Sequence, residues 1–564
     1  MRNVAILALA IAGAMTLGGC GGGGSRSGSG PGSGQGGGPI TPSANVTVAI
    51  TSPAINASVT EGDPYSATVS GTWNATSLGN GAVYLEVSDS ANTFTLPAIQ
   101  AAPASNAFSY VLPIASAVTS GERTGTITVR ACKDVACNST YVGTSGSVSY
   151  RLSISRVPDW ETLQGNAAHN GYVPITLDPS RFADVWLWSA PPPPSSEISY
   201  LSFPVTGANR VYVGISTYVP SVDGYAESYA GISENQADAN WIKSMGDGNS
   251  GLATTNPAFS GGKLYFGAGN ADYDLAALDS SNGSTVFTSK FIGSPRSSAS
   301  PTPYGGSVYI QTNSPTSNLM SAIASVNGIN GNLQWQSDIV HAEQGKPYFA
   351  PAVDDQRVYY QNNTCLVVLN RQTRATEACI LNPGSDATNL ESRFVPSLVG
   401  SRGNVLSFFY SPPPNAKRLL ASYNIANKSL EWTTTLAYGI YPAVANGVVY
   451  ATRIDEGRVS LHALNEATGQ VMWSWTPPPD SPASTPTTVY NVIATRNLVF
   501  FSAVNAAAST GATWAVDLNT RELAWMTTKG GPIAISASRK LYIVSRRPNT
   551  LPPTDDLLLQ VKLQ

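Results

Sequence analysis

The sequence from residue 204 to the C-terminus repeats one pattern eight times. Each copy starts with a proline and small apolar residues, continues through a turn, and gives a strand pattern rich in tyrosine. The opening prolines lie 44 to 53 residues apart, at Pro204, Pro257, Pro301, Pro351, Pro396, Pro442, Pro486 and Pro532. Units of this kind cannot bury an apolar face alone, so we expect each one to pack against its neighbours in sequence.

The unit that starts at Pro442 shows the pattern most clearly. Strand-like segments cover Tyr441–Tyr450, Val459–Asn465 and Ala467–Trp473, and together they predict four strands. Four strands in a period of about 47 residues are typical of one blade of a β-propeller. The chain also holds 52 glycines and 39 prolines and only 12% charged residues. We therefore predict an all-β protein in which residues 157–564 form an eight-bladed β-propeller.

The end of this unit carries a motif of known structural meaning. Ala463–Trp473 reads Ala-Leu-Asn-Glu-Ala-Thr-Gly-Gln-Val-Met-Trp. It resembles the docking motif of PQQ-like (quinoprotein-like) β-propellers, Ala-x-Asp-x-x-Thr-Gly-x-x-x-Trp, with Asn465 in place of the aspartate. In such a motif the polar residue braces a tight turn, Gly469 permits a positive φ, and Trp473 fills the gap between neighbouring blades.

Other copies depart further from the motif. Ala515–Trp525 keeps Asp517 but places Arg521 where the motif has glycine, and Ala277–Phe287 keeps Asp279 but ends in phenylalanine. The tryptophans assigned to docking positions are Trp241, Trp335, Trp432, Trp473 and Trp525. We interpret them as packing residues, because aromatic residues that recur at the blade period belong to the architecture.

The last unit, from Pro532 to Leu563, is one strand short of a full blade. Phe182–Trp188 precedes the first full unit and has the aromatic character of the missing outer strand. We predict that the two ends pair here, which removes exposed sheet edges. Asp159–Tyr172 resembles the lead-in segment of such propellers, and we interpret its His169 as a loop histidine rather than a catalyst.

Residues 44–156 form a different region. Apolar and polar residues alternate along Val46–Ile50, Ala82–Val87, Phe108–Leu112, Gly125–Arg130 and Val148–Ile154. About seven short strands in about 110 residues are typical of an Ig-like β-sandwich. We predict such a sandwich and expect it to act as a spacer.

The N-terminus has the pattern of an export signal. Arg2 precedes the apolar run Val4–Met15, which is too short to span a bilayer comfortably. The following Gly18-Gly19-Cys20 resembles the lipobox of bacterial lipoproteins. This resemblance implies a signal peptide over residues 1–19 and lipidation of Cys20 on its sulfur and, after cleavage, on its amino terminus with a fatty acid such as palmitate. An ordinary signal peptide with a chance cysteine is the alternative.

Residues 20–43 are a predicted tether. Beyond Cys20 they are almost entirely glycine, serine and proline, so they cannot bury apolar surface. A coil of this length spans on the order of 25 Å. Gly21 rather than aspartate follows Cys20, which resembles the outer-membrane address of Gram-negative lipoproteins. We expect a lipid-anchored protein of the cell envelope, in the outer membrane, and the membrane face stays open.

Four further cysteines fall into two local pairs. We predict disulfides between Cys132 and Cys137 and between Cys365 and Cys379, in keeping with an oxidising compartment. The first bridge would close the tip of a hairpin whose second strand starts at Thr140–Val142. None of the three histidines lies near a cysteine in the sequence, so we expect no zinc site.

Charge and motif content exclude some functions and leave others open. A net charge of −3 and the absence of lysine or arginine runs exclude nucleic-acid binding. PQQ dehydrogenases of this fold place a disulfide between adjacent cysteines beside the quinone, and no such pair exists here. A Gly-x-Ser-x-Gly elbow is also lacking, whereas the carboxylate pair of a glycosidase cannot be singled out among 35 acidic residues. We expect no bound cofactor or metal, and enzyme activity stays open.

These features favour a non-enzymatic envelope lipoprotein that acts as a binding or scaffold module through its propeller. The architecture resembles the propeller lipoproteins of the outer-membrane β-barrel assembly machine. That resemblance implies a role in outer-membrane protein assembly, with another envelope protein as partner. The glycine-rich tether and the Ig-like domain depart from those proteins. A PQQ-type oxidoreductase, a hydrolase, and a surface glycan-binding or adhesion protein are the alternatives.

Overall fold

The computed structural model describes most of the chain beyond the N-terminal segment. The described residues are 43–191, 199–219, 224–250, 255–267, 273–291, 300–314, 317–337, 349–362, 364–383, 396–411, 417–505, 508, 510–545 and 556–564. Strands dominate them, and their only helical element is the 3₁₀ turn Pro179–Arg181. No helix in these ranges is long and apolar enough to cross a bilayer. The predicted all-β class is confirmed.

Two sheets face each other in the first folded region. Their strands are β1 (Asn45–Ile50), β2 (Ile55–Thr60), β3 (Ser66–Thr76), β4 (Tyr84–Asp89), β5 (Gln100–Ala101), β6 (Ala107–Pro113), β7 (Gly121–Cys132) and β8 (Gly146–Ser155). One sheet has the order β1-β3-β6 and the other the order β2-β8-β7-β4-β5. All pairs are antiparallel except β2 with β8, which run parallel.

The two sheets share one hydrophobic core because their strands alternate. Every second residue of β8 is buried, and the inward side chains include Val69, Leu112 and Ile127. The strand predicted at Thr140–Val142 is wrong, since this segment forms only isolated bridges. The chain there wraps around Asp134, whose carboxylate accepts several backbone N–H groups and holds a compact loop instead.

The described part of residues 183–562 contains eight antiparallel sheets, numbered here in chain order. Sheet 1 holds β10 (Ser199–Leu201), β11 (Val205–Gly207), β12 (Arg210–Val219), β13 (Gly224–Ser233) and β14 (Ala239–Ser250). Sheet 2 holds β15 (Ala258–Ser260), β16 (Lys263–Gly267), β17 (Leu275–Asp279) and β18 (Thr285–Ser289). Sheet 3 holds β19 (Thr302–Tyr304), β20 (Ser307–Ser314), β21 (Ser317–Asn327) and β22 (Leu333–Gln336). Sheet 4 holds β23 (Ala352–Val353), β24 (Arg357–Gln361), β25 (Cys365–Asn370) and β26 (Thr376–Leu381).

The remaining sheets follow the same order. Sheet 5 holds β27 (Ser397–Val399), β28 (Asn404–Tyr410), β29 (Arg418–Asn424) and β30 (Ser429–Ala437). Sheet 6 holds β31 (Ala443–Ala445), β32 (Val448–Asp455), β33 (Arg458–Asn465) and β34 (Val471–Trp475). Sheet 7 holds β35 (Thr488–Ala494), β36 (Leu498–Asn505), β37 (Thr510–Asp517) and β38 (Leu523–Thr527). Sheet 8 holds β39 (Ile533–Ile535), β40 (Lys540–Ser545), β41 (Leu557–Lys562) and β9 (Ala183–Ser189).

The sheets form a closed ring. Each sheet has one inner strand, which is β11 in sheet 1 and the first strand in the other sheets. The inner strands of sheets 1 to 5 lie side by side in order, as do those of sheets 6 to 8, and β39 of sheet 8 lies beside β11 of sheet 1. Sheets 5 and 6 share one hydrophobic cluster. The outer strand of sheet 8 is β9, which pairs with β41 over Leu557–Lys562. The prediction that Phe182–Trp188 completes the last unit is therefore confirmed.

Middle strands of the ring are buried on both faces by the neighbouring sheets. In β36 every residue except the last is buried, which explains a nearly continuous apolar run rather than an alternating one. The four strands predicted from the unit at Pro442 are confirmed in sheet 6. In sheet 6, Pro442 directly precedes the inner strand Ala443–Ala445. In sheet 7, Asn491 rather than a proline precedes the inner residues Val492–Ala494. The Asn491 side chain bonds both the N–H and the C=O of Ile533 in the next sheet.

Candidate functional site

Turns that follow the third strand of a sheet share one geometry. In sheet 6 the N–H of Gly469 donates to the carbonyl of Asn465 over 2.8 Å, and Asn465 Oδ1 accepts two more backbone N–H groups. The same bond joins Gly283 to Asp279 over 2.8 Å in sheet 2. Gly469 and Gly283 have φ values of 70° and 73°. The polar residue thus braces the turn and the glycine supplies the left-handed conformation.

An aromatic side chain of one sheet packs onto the turn of the next. The indole N–H of Trp432 donates to the carbonyl of Glu466 over 3.0 Å, and a Cβ on Gly469 would come within 2.5 Å of the Trp432 ring. Trp241 does the same in the turn of sheet 2, where a Cβ on Gly283 would approach its ring to 2.6 Å. Both glycines are therefore required by close approach as well as by φ.

The other assigned docking residues also lie between sheets or in their turns. Trp335 and Trp473 each lie 6.1 Å from a tyrosine ring of their own sheet. Trp525 meets Phe182 edge-on at 5.6 Å. Asp517 Oδ1 accepts two backbone N–H groups within its turn. These residues pack the sheets of the ring against one another.

Three of the turns carry a basic residue at the position of the motif glycine. Arg374, Lys428 and Arg521 have φ values of 68°, 53° and 61°. A left-handed conformation costs a non-glycine residue about 1 kcal/mol or more. Lys428 Nζ donates to the carbonyl of Glu377 in the preceding sheet over 2.9 Å, and the guanidinium of Arg521 lies 5.9 Å from the centre of the Trp473 ring.

The lead-in segment occupies the centre of the ring. We call Asp159–Leu177 the axial segment. Its carbonyl groups accept hydrogen bonds from the inner strands of six sheets. The donors are the N–H groups of Thr206, Phe259, Val353, Val399, Val444 and Ala494. Because the segment bonds to inner strands of six sheets, it ties these sheets together at the centre of the ring.

His169 lies in the axial segment and is 1% exposed. Its Nε2 lies 3.2 Å from Thr302 Oγ1, which itself donates to the Pro351 carbonyl over 2.7 Å. Burial lowers the pKa of His169 to about 4, so its imidazole is neutral at pH 7. The nearby Gln164 Nε2 donates to the Pro442 carbonyl over 2.8 Å. His169 therefore joins the axial segment to the ring as a neutral hydrogen-bonding group.

Sequence reasoning did not single out the acidic pair of the axial segment. Burial raises the pKa of Glu161 to about 7, and the negative charge of Asp159 adds to this shift. Burial also raises the pKa of Asp159. A carboxyl group that titrates near neutrality can hold or release a proton. No local sequence signal marks Glu161, because its pKa depends on the ring that closes around it.

A charge cluster joins the sandwich to the ring. Asp63, between β2 and β3, forms salt bridges with Arg539 at 2.8 Å and with Arg496. The side chains of Asp63 and Arg539 are each 4% exposed. Thr176 donates its N–H to Asp63 over 2.9 Å, and Arg539 also donates to the carbonyls of Thr176 and Glu61. The contacts fix one end of the sandwich against turns of sheets 7 and 8.

Two cavities lie at junctions between structural units. One of about 620 Å³ separates the sandwich from the ring, and its lining includes Tyr65, Ile114, Leu177 and Arg181. The other, about 660 Å³ and wide open, lies between sheets 6 and 7. Its lining residues are Arg458, Trp475, Thr476, Pro477, Pro478, Pro479, Arg521, Glu522 and Leu523. We call the second cavity the β34 groove.

Both predicted disulfides are present, between Cys132 and Cys137 and between Cys365 and Cys379. In the described residues, the only group of three potential metal ligands brings Glu86 next to Cys132 and Cys137. Since these two sulfurs are bonded to each other, neither is a free thiolate ligand. Cys20, the predicted lipidation site, lies outside the described residues.

Comparison with solved structures identifies the fold of the ring. A europium-containing methanol dehydrogenase matches 72% of this chain and 98% of its own, with a TM-score of 0.51 and 9% identity. Quinohemoprotein alcohol dehydrogenase ADHIIG from Pseudomonas putida HK5 matches 72% of this chain and 80% of its own, with a TM-score of 0.48 and 11% identity. No curated protein matches the sequence. At these identities the likeness shows the fold alone.

The sequence also matches one family model. The model is described as outer membrane protein assembly factor BamB, and it matches residues 226–474 and 390–532. Together these ranges cover more than half of the chain and lie entirely within the ring of sheets. The ring is a PQQ-like β-propeller, and the chain belongs to the family described as outer membrane protein assembly factor BamB.

Proposed function

We propose that this protein is a lipid-anchored envelope scaffold that assists outer-membrane protein assembly by holding a segment of another envelope protein. The family match over the propeller carries this proposal. A propeller offers many loops and strand edges to a partner without requiring a cofactor.

In this proposal, Cys20 carries the lipid and residues 20–43 tether the folded body to the outer membrane. Residues 44–156 form an Ig-like sandwich that acts as a spacer, and residues 157–564 form an eight-bladed propeller. Eight sheets in the described part of the ring support the last assignment. The two sheets of the first folded region share one core, which supports the assignment of a sandwich.

The arrangement of the ring also favours binding over redox catalysis. The axial segment lies at the centre of the ring and is bonded to the inner strands of six sheets. The disulfide of the ring joins Cys365 and Cys379, which are 14 residues apart on paired strands, and so differs from the adjacent pair of PQQ dehydrogenases. After addition of pyrroloquinoline quinone and Ca²⁺ and removal of unbound quinone, the protein should therefore retain no quinone absorbance band, and a stoichiometric band would favour an oxidoreductase. Glycan-array binding would instead favour the adhesion alternative.

Two measurements in intact cells test the proposal. Metabolic labelling with a palmitate analogue should mark the wild-type protein and leave the Cys20→Ser variant unlabelled; a labelled variant would exclude this anchor. Crosslinking followed by mass spectrometry should capture a known barrel-assembly protein with the wild-type chain and much less of it with Cys20→Ser. Capture of no assembly protein by the labelled wild-type chain would contradict the scaffold role.

A further inference from the structure

The β34 groove lies where two neighbouring sheets meet at the outside of the propeller. Sheet 6 contributes Trp475, three consecutive prolines and Arg458, and the turn of sheet 7 contributes Arg521 and Leu523. Its floor is therefore largely apolar, and two guanidinium groups line it against the single carboxylate of Glu522. Such a surface suits a ligand that carries both apolar groups and negative charge.

The groove borders an open strand edge. β34 is the last strand of sheet 6 and, in the described part of the chain, pairs only with β33. Val471 and Met472 on β34 are 45% and 54% exposed. An edge strand presents unpaired N–H and C=O groups, which can accept a further strand from another chain. The groove begins at Trp475, the last residue of β34, so an extended peptide added to β34 would reach the groove at that end of the strand.

Arg521 gives an independent reason to assign a role to this groove. The equivalent residue is a glycine with φ between 70° and 76° in three turns and a basic residue in the turns of Arg374, Lys428 and Arg521, whose φ is 61°. Of these three basic residues, only Arg521 lines the β34 groove. Its N–H makes the same bond to the first turn residue, Asp517, over 2.8 Å. Glycine would adopt this turn without strain, so the backbone conformation does not require an arginine. The arginine brings a cation over the Trp473 ring and into the groove lining.

We propose that the β34 groove binds an extended, acidic and partly apolar segment of a partner protein, which adds as a strand to the edge of β34. Arg458 and Arg521 pair with carboxylates of the segment, and Trp475 and Leu523 contact its apolar side chains. This assignment deepens the proposed function. It rests on the proposed function only for the statement that the partner is an envelope protein. The chemistry of the groove itself is independent of the lipid anchor.

A defined peptide tests this proposal on the purified Cys20→Ser chain. The probe is a fluorescein-labelled peptide of about seven alternating valines and aspartates, and fluorescence anisotropy reports its binding. We expect saturable binding, and at least about tenfold weaker binding of an otherwise identical valine–lysine peptide. Replacement of the central valine by proline should also weaken binding at least about tenfold, because proline removes a backbone donor and opposes strand addition.

Arg521→Gly separates a binding role from a structural one. This variant restores the glycine of the equivalent turns, so its melting temperature should not fall, whereas its affinity for the acidic peptide should drop at least about tenfold. Arg374→Gly is the matched control, because Arg374 has the same left-handed conformation in a turn outside the groove, and it should bind as the wild type does.

Several results would overturn the proposal. They are unchanged affinity in Arg521→Gly, equal binding of the lysine peptide, equal binding of the proline peptide, or absence of binding to the wild-type chain. Binding of neutral oligosaccharides that Arg521→Gly abolishes, without peptide binding, would assign the groove to a glycan instead. Because the assay uses the unlipidated chain and no cellular partner, its failure is distinct from a failure of the envelope scaffold role.

Discussion

Asp63→Asn should weaken the joint between the sandwich and the propeller. The substitution keeps the size of the side chain and an oxygen for the Thr176 N–H, but it removes the charge that faces Arg539. Arg539 is 4% exposed, and removal of one partner from a buried ion pair costs about 3–5 kcal/mol. Two backbone carbonyls still accept from Arg539, and Arg496 is 37% exposed and can regain water. We therefore expect a loss of about 3 kcal/mol, or roughly 100-fold in the docking equilibrium.

Small-angle scattering and urea unfolding measure this effect together. In the variant the radius of gyration should increase, and the sandwich should unfold in a separate transition at lower urea. Glu122→Ala is the control, because it breaks an ion pair with Arg151 that is exposed on the same domain, and it should leave both measurements unchanged. If Asp63→Asn behaves like Glu122→Ala, the buried charge cluster does not hold the two domains together.

Three further substitutions test the packing and electrostatics of the ring. Gly469→Ala should lower the free energy of unfolding by at least about 2 kcal/mol, because its Cβ would meet Trp432 at 2.5 Å. Gly457→Ala is the control: Gly457 has a φ of 78° with open space around it, so this change should lower the free energy of unfolding by only about 1 kcal/mol. Burial raises the pKa of Glu161 from 4.5 to about 7. The protonated carboxyl therefore makes its full contribution to the free energy of unfolding below pH 4.5, and this contribution is lost as the pH rises through 7. Glu161→Gln should therefore stabilise the protein by about 1–2 kcal/mol at pH 8 and not at pH 4.5, and equal effects at both pH values would contradict the assignment. Replacement of Cys365 and its partner by serine should cost about 3 kcal/mol in denaturant unfolding, since the bridge closes a loop of 14 residues, and an unchanged midpoint would show that the bridge is dispensable.

Features that depend on local sequence were predicted well. The Asn465–Gly469 turn, its position before a tryptophan, and the period of the units follow from residue types within a few positions of one another. The two disulfides join cysteines only 5 and 14 residues apart. The aromatic outer strand at Phe182–Trp188 was recognised because the last unit visibly lacked one strand. Each of these signals is carried by neighbouring residues or by repetition.

Features that depend on distant residues were not predicted. Asp63 and Arg539 are 476 residues apart in the sequence, and neither stands out among the charged residues. Glu161 looks like any loop carboxylate until the ring closes around the axial segment and removes water from it. The sequence showed that Arg521 replaces a glycine, but not that its guanidinium lies over Trp473 and lines a groove. Burial and charge pairing across the fold have no local pattern to reveal them.

The level of outer-membrane barrel proteins tests the central claim most directly. Quantitative mass spectrometry of outer membranes should compare cells that lack this protein with cells that regain the wild-type or the Cys20→Ser chain. The scaffold role predicts that barrel proteins fall in the deletion, return with the wild-type chain, and stay low with Cys20→Ser expressed at the same level. Unchanged barrel-protein levels in the deletion would contradict a role in outer-membrane protein assembly.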